Sequence, residues 1–202
     1  MKNHKVQQRS SEWLQLRKGK ITGTTLKNIM GTPYARGEEF YQKLAEKLTV
    51  GVSDEYENPM DRGNRLEDDA IALFEFETGM KTERVGFSED DDDPTIANSP
   101  DRLIGETKAV EVKCPEGKNY LKIWQENKVP KEYWWQVIQY FVLNKKLETL
   151  YFVAHNPDIP MHPLHIIEVH RKDIEADIVK AREAQEKFIA EVNEALSKII
   201  EL

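Results

Sequence analysis

Apolar residues along this chain change their period four times. Up to about residue 78 they recur at helical spacing. Trp13, Leu14 and Leu16 follow Ser10 or Ser11 as an N-cap, a second helix runs from about Thr24 to Met30 and stops at Gly31, and Phe40, Leu44 and Leu48 mark a third within Gly37 to Thr49. A fourth helix, about Asp61 to Thr78, has Leu66, Ala70, Leu73, Phe74 and Glu77 as its landmarks and closes at Gly79. The pattern then shortens to strands at about Thr82 to Phe87, Thr95 to Ala97, Arg102 to Ile104 and Ala109 to Lys113. Helical spacing returns in NYLKIWQEN and in KEYWWQVIQYFVLNK, the latter with Pro130 near its start. Two more strands, Thr149 to Ala154 and Leu164 to Val169, precede a long final helix. Asp173 serves as its N-cap, and Ile174, Ile178, Ala181, Phe188, Val192, Ala195 and Ile199 form its apolar stripe. Helices, a strand meander, helices, two strands and a helix predict an α/β or α+β fold of packed layers. No repeat or low-complexity linker interrupts the order, so residues 1–202 are expected to form a single domain.

Composition narrows this picture. At 202 residues the chain can bury a core without staples, and no apolar run approaches the roughly 18 residues of a membrane span. The opening MKNHKVQQRSSEW has no apolar segment of the signal-peptide kind, and the single cysteine, Cys114, suits a reducing compartment. A cytoplasmic location with no membrane partner is expected. The net charge of −7, from 29 Lys+Arg and 36 Asp+Glu, argues on its own against nucleic acid. Five of those acids, however, fall in one block, Glu89 to Asp93, which reads as a solvated loop before Pro94. It lacks the spaced acids and closing glutamate of an EF-hand loop.

The chemistry concentrates in SPDRLIGETKAVEVKCP, residues 99–115. Within the β-branched alternation of Ala109 to Cys114, Glu111 and Lys113 share one strand face and Val110 and Val112 the other. A hairpin across Gly105-Glu106-Thr107-Lys108 would bring Asp101 and Glu111 to one end of the sheet. Two carboxylates there suit Mg²⁺ or Mn²⁺, with Lys113 supplying positive charge where a phosphodiester develops negative charge. The plain alternative is an exposed pair of strand charges beside an aspartate in a turn, which is common and weak.

Pro100-Asp101 followed by Glu111-Val112-Lys113 resembles the PD-(D/E)XK nuclease motif. More specifically, SPDRLIG with EVKCP, RKGKITGTT, RGNRLEDDAIALFEFETG and YWWQVIQY resemble, in order, the elements of the phage lambda exonuclease family, the YqaJ-type viral recombinase nucleases. The resemblance spans most of residues 11–196. It implies a restriction-endonuclease-like core, with a central mixed β-sheet flanked by helices. It implies a Mg²⁺-dependent 5′→3′ exonuclease that degrades one strand of double-stranded DNA from its ends, leaving 3′ tails for strand annealing. A toroidal homotrimer and a single-strand annealing protein as partner are implied as well; such a ring would hold a basic channel inside and acids such as Glu89 to Asp93 outside.

Carried over by position, Asp101, Glu111 and the Val112 carbonyl are metal ligands, Lys113 activates the water, Glu67 adds an acid at or near a second metal, and Gln136 helps hold the site. Arg17, Thr22, Thr24 and Ser99 fall at the pocket for the 5′-phosphate. Arg17 suits bidentate capture, and Thr22 and Thr24 lie just before an expected helix, whose N–H groups favour anions. Surface arginine, helix-start acids from Glu67 to Asp69 and an ordinary helix glutamine are the plainer readings of Arg17, Glu67 and Gln136. Two features depart from the family: Glu116-Gly117-Lys118-Asn119 stands where a basic phosphate contact is expected, and Ile138, next to Gln139, replaces a second glutamine. An endonuclease of restriction or repair type, or a catalytically silent DNA-binding protein, are the competing readings.

Other residues suggest chemistry less securely. His155, His162, His165 and His170 match no compact zinc spacing. Trp124, Trp134 and Trp135 could stack on bases, but the helical spacing from Tyr133 to Phe141 favours core packing. Cys114 reads as a small buried residue.

Overall fold

The computed structural model describes residues 34, 37–38, 59–85, 88–89, 92, 96–98 and 100–186. Contacts divide the chain into two compact units: Met1–Leu73 with Lys113–Lys128 and Ala154–His165, and Phe74–Val112 with Val129–Val153 and Ile166–Leu202. The expected helices before residue 34 and the stripe beyond residue 186 lie outside the described residues.

Among the described residues the main sheet has four strands in the order β3-β4-β5-β6: β3 is Arg102–Ile104, β4 Lys108–Lys113, β5 Thr149–His155 and β6 Leu164–His170. A separate two-stranded antiparallel pair joins β1, Ser88–Glu89, to β2, Ala97–Asn98. Strands β3 and β4 form an antiparallel hairpin whose loop starts at Gly105, at φ +58°, a left-handed conformation that glycine adopts without a Cβ clash. The N–H groups of Glu148 and Thr149 both donate to the Thr107 carbonyl, at 2.8 and 3.2 Å, so β5 starts beside the start of β4 and runs parallel to it. Arg171 N–H donates to the Glu148 carbonyl, setting the end of β6 against the start of β5. The sheet is therefore mixed, and the parallel step from β4 to β5 needs the long connection that helices provide.

Helix α1 spans Pro59–Thr78, two residues earlier than expected because proline is tolerated in a first helical turn; it ends at Gly79, φ +69°. Helix α2 is Gly117–Glu126, closed by Asn127 in the left-handed region at φ 48°. Helix α3 is Lys131–Leu143, entered from Pro130, and buries Val137, Ile138, Tyr140, Phe141 and Val142. Its C-terminal carbonyls are covered by arginines from later in the chain: Arg171 bonds the Phe141 and Asn144 carbonyls at 2.8 and 2.7 Å, and Arg182 bonds that of Val142 at 2.9 Å. These groups would otherwise lack intrahelical partners.

Three expectations change. The strand from Thr82 to Phe87 is reduced to one bridge between Glu83 and Leu103, while residues 86 and 87 lie outside the described residues. The Glu75 carboxylate takes the Thr82 N–H and hydroxyl, at 2.8 and 2.7 Å, and ties this segment to the end of α1. Asp173 is not an N-cap: Arg171–Asp173 is a 3₁₀ turn, and α4 runs from 175 to 186, with the Ile174 carbonyl accepting from Ile178. Interior strands β4 and β5 are buried on both faces, so alternation in β4 does not mark a wet side.

Candidate active site

The second unit brings the two motif acids together through hairpin register. Arg102 pairs with Val110, so the next step outward sets Asp101 beside Glu111. Continuing once more sets Val112 opposite Pro100, which has no N–H for the ladder. The Asp101 carboxylate instead takes the Val112 N–H, through Oδ2 at 2.8 Å. On a strand the C=O of a residue lies on the same edge as its N–H, so the Val112 carbonyl faces a proline that cannot donate to it. The Pro-Asp order thus has a physical use: one residue withholds a donor and the next supplies a carboxylate.

Glu111 is only 1% exposed. Its Oε2 accepts a 2.5 Å hydrogen bond from the Tyr140 hydroxyl, and the same hydroxyl accepts the Asp101 backbone N–H at 3.2 Å. Burial, then the Glu111 and Asp101 carboxylates, push the Tyr140 hydroxyl far above the usual tyrosine range, so it stays protonated and donates. Arg102, also buried, bonds the Asp101 carbonyl through Nη1 at 2.6 Å. A carboxylate sunk this deeply needs compensation. Two carboxyl side chains and a backbone carbonyl are oxygen donors of the kind hard divalent cations prefer, so the chemistry of these residues fits such an ion.

A model of the YqaJ-like viral recombinase domain matches residues 12–145. The chain belongs to that family. Among solved structures it is similar to the alkaline exonuclease LHK-Exo from Laribacter hongkongensis, at 23% identity and a TM-score of 0.56, over 94% of this chain and 100% of that one. LHK-Exo in complex with dAMP matches at 24% identity, with the same TM-score and coverage. Both likenesses show the fold. No curated protein matches the chain.

In this YqaJ-like domain the other predicted site residues distribute as follows. Lys113 is half-buried and ends β4, two residues after Glu111. Glu67, half-buried on α1, belongs to the first unit. Gln136 is exposed on α3, one helical turn before Tyr140 and on the same face. Arg17, Thr22, Thr24 and Ser99 lie outside the described residues. Lys118, weighed for phosphate, forms a 3.1 Å ion pair with Glu38 in the first unit. Ile138 is fully buried, and Gln139 accepts a hydrogen bond from Gln185.

The tryptophan expectation is corrected in two of three cases. Trp124 and Trp135 are 44% and 49% exposed, and only Trp134 is tied inward, its Nε1 on Asp177 at 2.9 Å. A helix has one buried face, and adjacent Trp134 and Trp135 cannot share it. His155 Nδ1 lies 2.9 Å from the Pro163 carbonyl, His165 Nε2 3.0 Å from Asn127 Oδ1, and His170 Nδ1 3.2 Å from the Thr149 hydroxyl. Cys114 is buried.

Sequence reasoning missed Tyr140 as a site residue. The signal was the Gln136-x-x-x-Tyr140 spacing on a helix already tied to the site, since positions i and i+4 share a face.

Proposed function

We propose that residues 1–202 form one metal-dependent 5′→3′ exonuclease domain that degrades one strand of linear duplex DNA from 5′-phosphorylated ends. The juxtaposition of a half-buried Asp101 with the buried Glu111 carries this reading, because an ordinary strand has no use for an acid in the core with a second acid opposite it. Family membership and the fold shared with an alkaline exonuclease support it.

In this reading Asp101, Glu111 and the Val112 carbonyl hold Mg²⁺, or Mn²⁺ in its place, with Glu67 at or near a second ion. The ion when bound supplies Lewis acidity to the scissile phosphate. Lys113 Nζ orients the attacking water and offsets charge developing on the phosphoryl oxygens. Gln136, on the Tyr140 face of α3, steadies the groups around the scissile bond. Arg17, Thr22, Thr24 and Ser99 hold the terminal phosphate, so that degradation starts at an end. The active assembly is a toroidal homotrimer in the cytoplasm, passing 3′ tails to a single-strand annealing protein.

The deciding assay supplies Mg²⁺ with linear duplex DNA bearing 5′-phosphate or 5′-hydroxyl ends, closed circles alongside, and Asp101→Ala as control. Loss of the phosphorylated linear substrate alone, absent in the variant, is the expected result. Cutting of circles would replace the reading with an endonuclease, and inactivity on all substrates with a DNA-binding protein. Light scattering that shows a stable monomer at micromolar concentration would remove the ring.

A further inference from the structure

We infer that Tyr140 is a positioning residue that holds the two motif acids in one fixed arrangement for a divalent cation; the inference rests on the metal reading above. Its hydroxyl touches both halves of the hairpin end, accepting the Asp101 N–H at 3.2 Å and donating to Glu111 Oε2 at 2.5 Å. The direction of these bonds is forced. A backbone N–H can only donate, so the tyrosine oxygen accepts there and its proton is left for Glu111.

The hydroxyl is carried by a helix that is itself anchored. Arg171 and Arg182 bond the carbonyls of Phe141, Val142 and Asn144, immediately after Tyr140, and Trp134 is tied to Asp177 two turns before them. Asp101 is fixed a second time by its Oδ2 bond to the Val112 N–H. One rigid donor therefore sets the Glu111 carboxylate relative to the Asp101 backbone, and the hairpin sets the Asp101 carboxylate relative to Val112. Groups that orient metal ligands in this way typically change affinity or activity by about 10–100-fold when removed.

The test is Tyr140→Phe, which deletes one oxygen and keeps the ring, compared with Val137→Ala as a core variant on the same helix. Mn²⁺ binding without DNA is followed by electron paramagnetic resonance, and the Mg²⁺ concentration for half-maximal cleavage is measured alongside melting curves. Tyr140→Phe is expected to weaken Mn²⁺ binding by about tenfold or more and to raise the Mg²⁺ half-saturation by a similar factor. DNA affinity in EDTA should stay unchanged, and Val137→Ala should lower the melting temperature without moving Mn²⁺ affinity. Unchanged Mn²⁺ binding in Tyr140→Phe, with Asp101→Ala and Glu111→Gln both impaired, would overturn this inference alone. Equal weakening by Val137→Ala would reduce Tyr140 to a core residue. Wild-type Mn²⁺ binding by Asp101→Ala and Glu111→Gln would overturn the metal reading itself.

Discussion

Glu38 and Glu111 are both bonded carboxylates, each in a different unit, and they are held by opposite means. Glu38 meets two lysines: Lys118 Nζ lies 3.1 Å from Oε2, and Lys122 bonds Oε1. All three side chains keep a quarter to a third of their surface in water. Glu111 is sunk in the core and accepts from a neutral tyrosine, with a second carboxylate at the next position across the hairpin. The first arrangement lowers the energy of a surface at little cost. The second keeps an acidic side chain in the core, opposite the other motif acid, where a polar group costs more than at the surface. The difference separates acids that decorate the fold from acids that use it.

Lys113→Ala is the change expected to break this contrast most completely. Lys113 ends the strand that carries Glu111, and on the proposed reading its loss would leave the acids able to bind a cation but without the group that serves the water. Single-turnover cleavage should be abolished while a mobility-shift assay shows DNA binding retained. Near-normal turnover would mean that the two motif acids serve something other than this chemistry.

Glu111→Gln sharpens the cost. Glutamine keeps the shape and can accept from Tyr140, but it removes the acid. Catalysis should be lost while stability rises by about 1 kcal/mol, or a melting temperature higher by roughly 2–4 °C for a chain of this size. A fall of that size would mean that the acid is a net stabiliser in its place, and that the hairpin site carries no stored expense.

How far these features could be read from sequence follows from how local they are. The hairpin was legible because its register depends on a short loop beginning with Gly105: Asp101 and Glu111 meet as the spacing predicts. The helix carrying Gln136 and the strands from Thr149 and Leu164 were legible from their period. The burial of Glu111 was not, because alternation reports two faces and cannot say that both are covered. For Tyr140 the helical spacing from Gln136 gave its face but not its partners, which lie 39 and 29 positions away. Asp173 misled as a helix start because a 3₁₀ turn consumed it, and Thr82 because a distant carboxylate, Glu75, captured its backbone. At Thr82 a side chain seven positions away overruled the local propensity, and at Asp173 one local turn replaced another.

Glu38→Gln should have the smallest effect and a distinctive pH signature. Hydrogen bonds from Lys122 and then Lys118 hold the Glu38 carboxyl below its ordinary value of 4.5, and the Glu38 contact likewise raises the Lys122 ammonium above its own. For a carboxyl lowered by folding, the stabilising contribution is fully present above the ordinary value and disappears as pH falls through the folded one. Near neutrality the variant should be less stable by no more than ~1 kcal/mol, because solvent screens a pair this exposed. The gap between wild type and variant should close as pH drops below 4.5, and it should narrow in high salt at neutral pH. Melting curves across pH and salt measure both. A gap independent of pH would mean that Glu38 acts through packing.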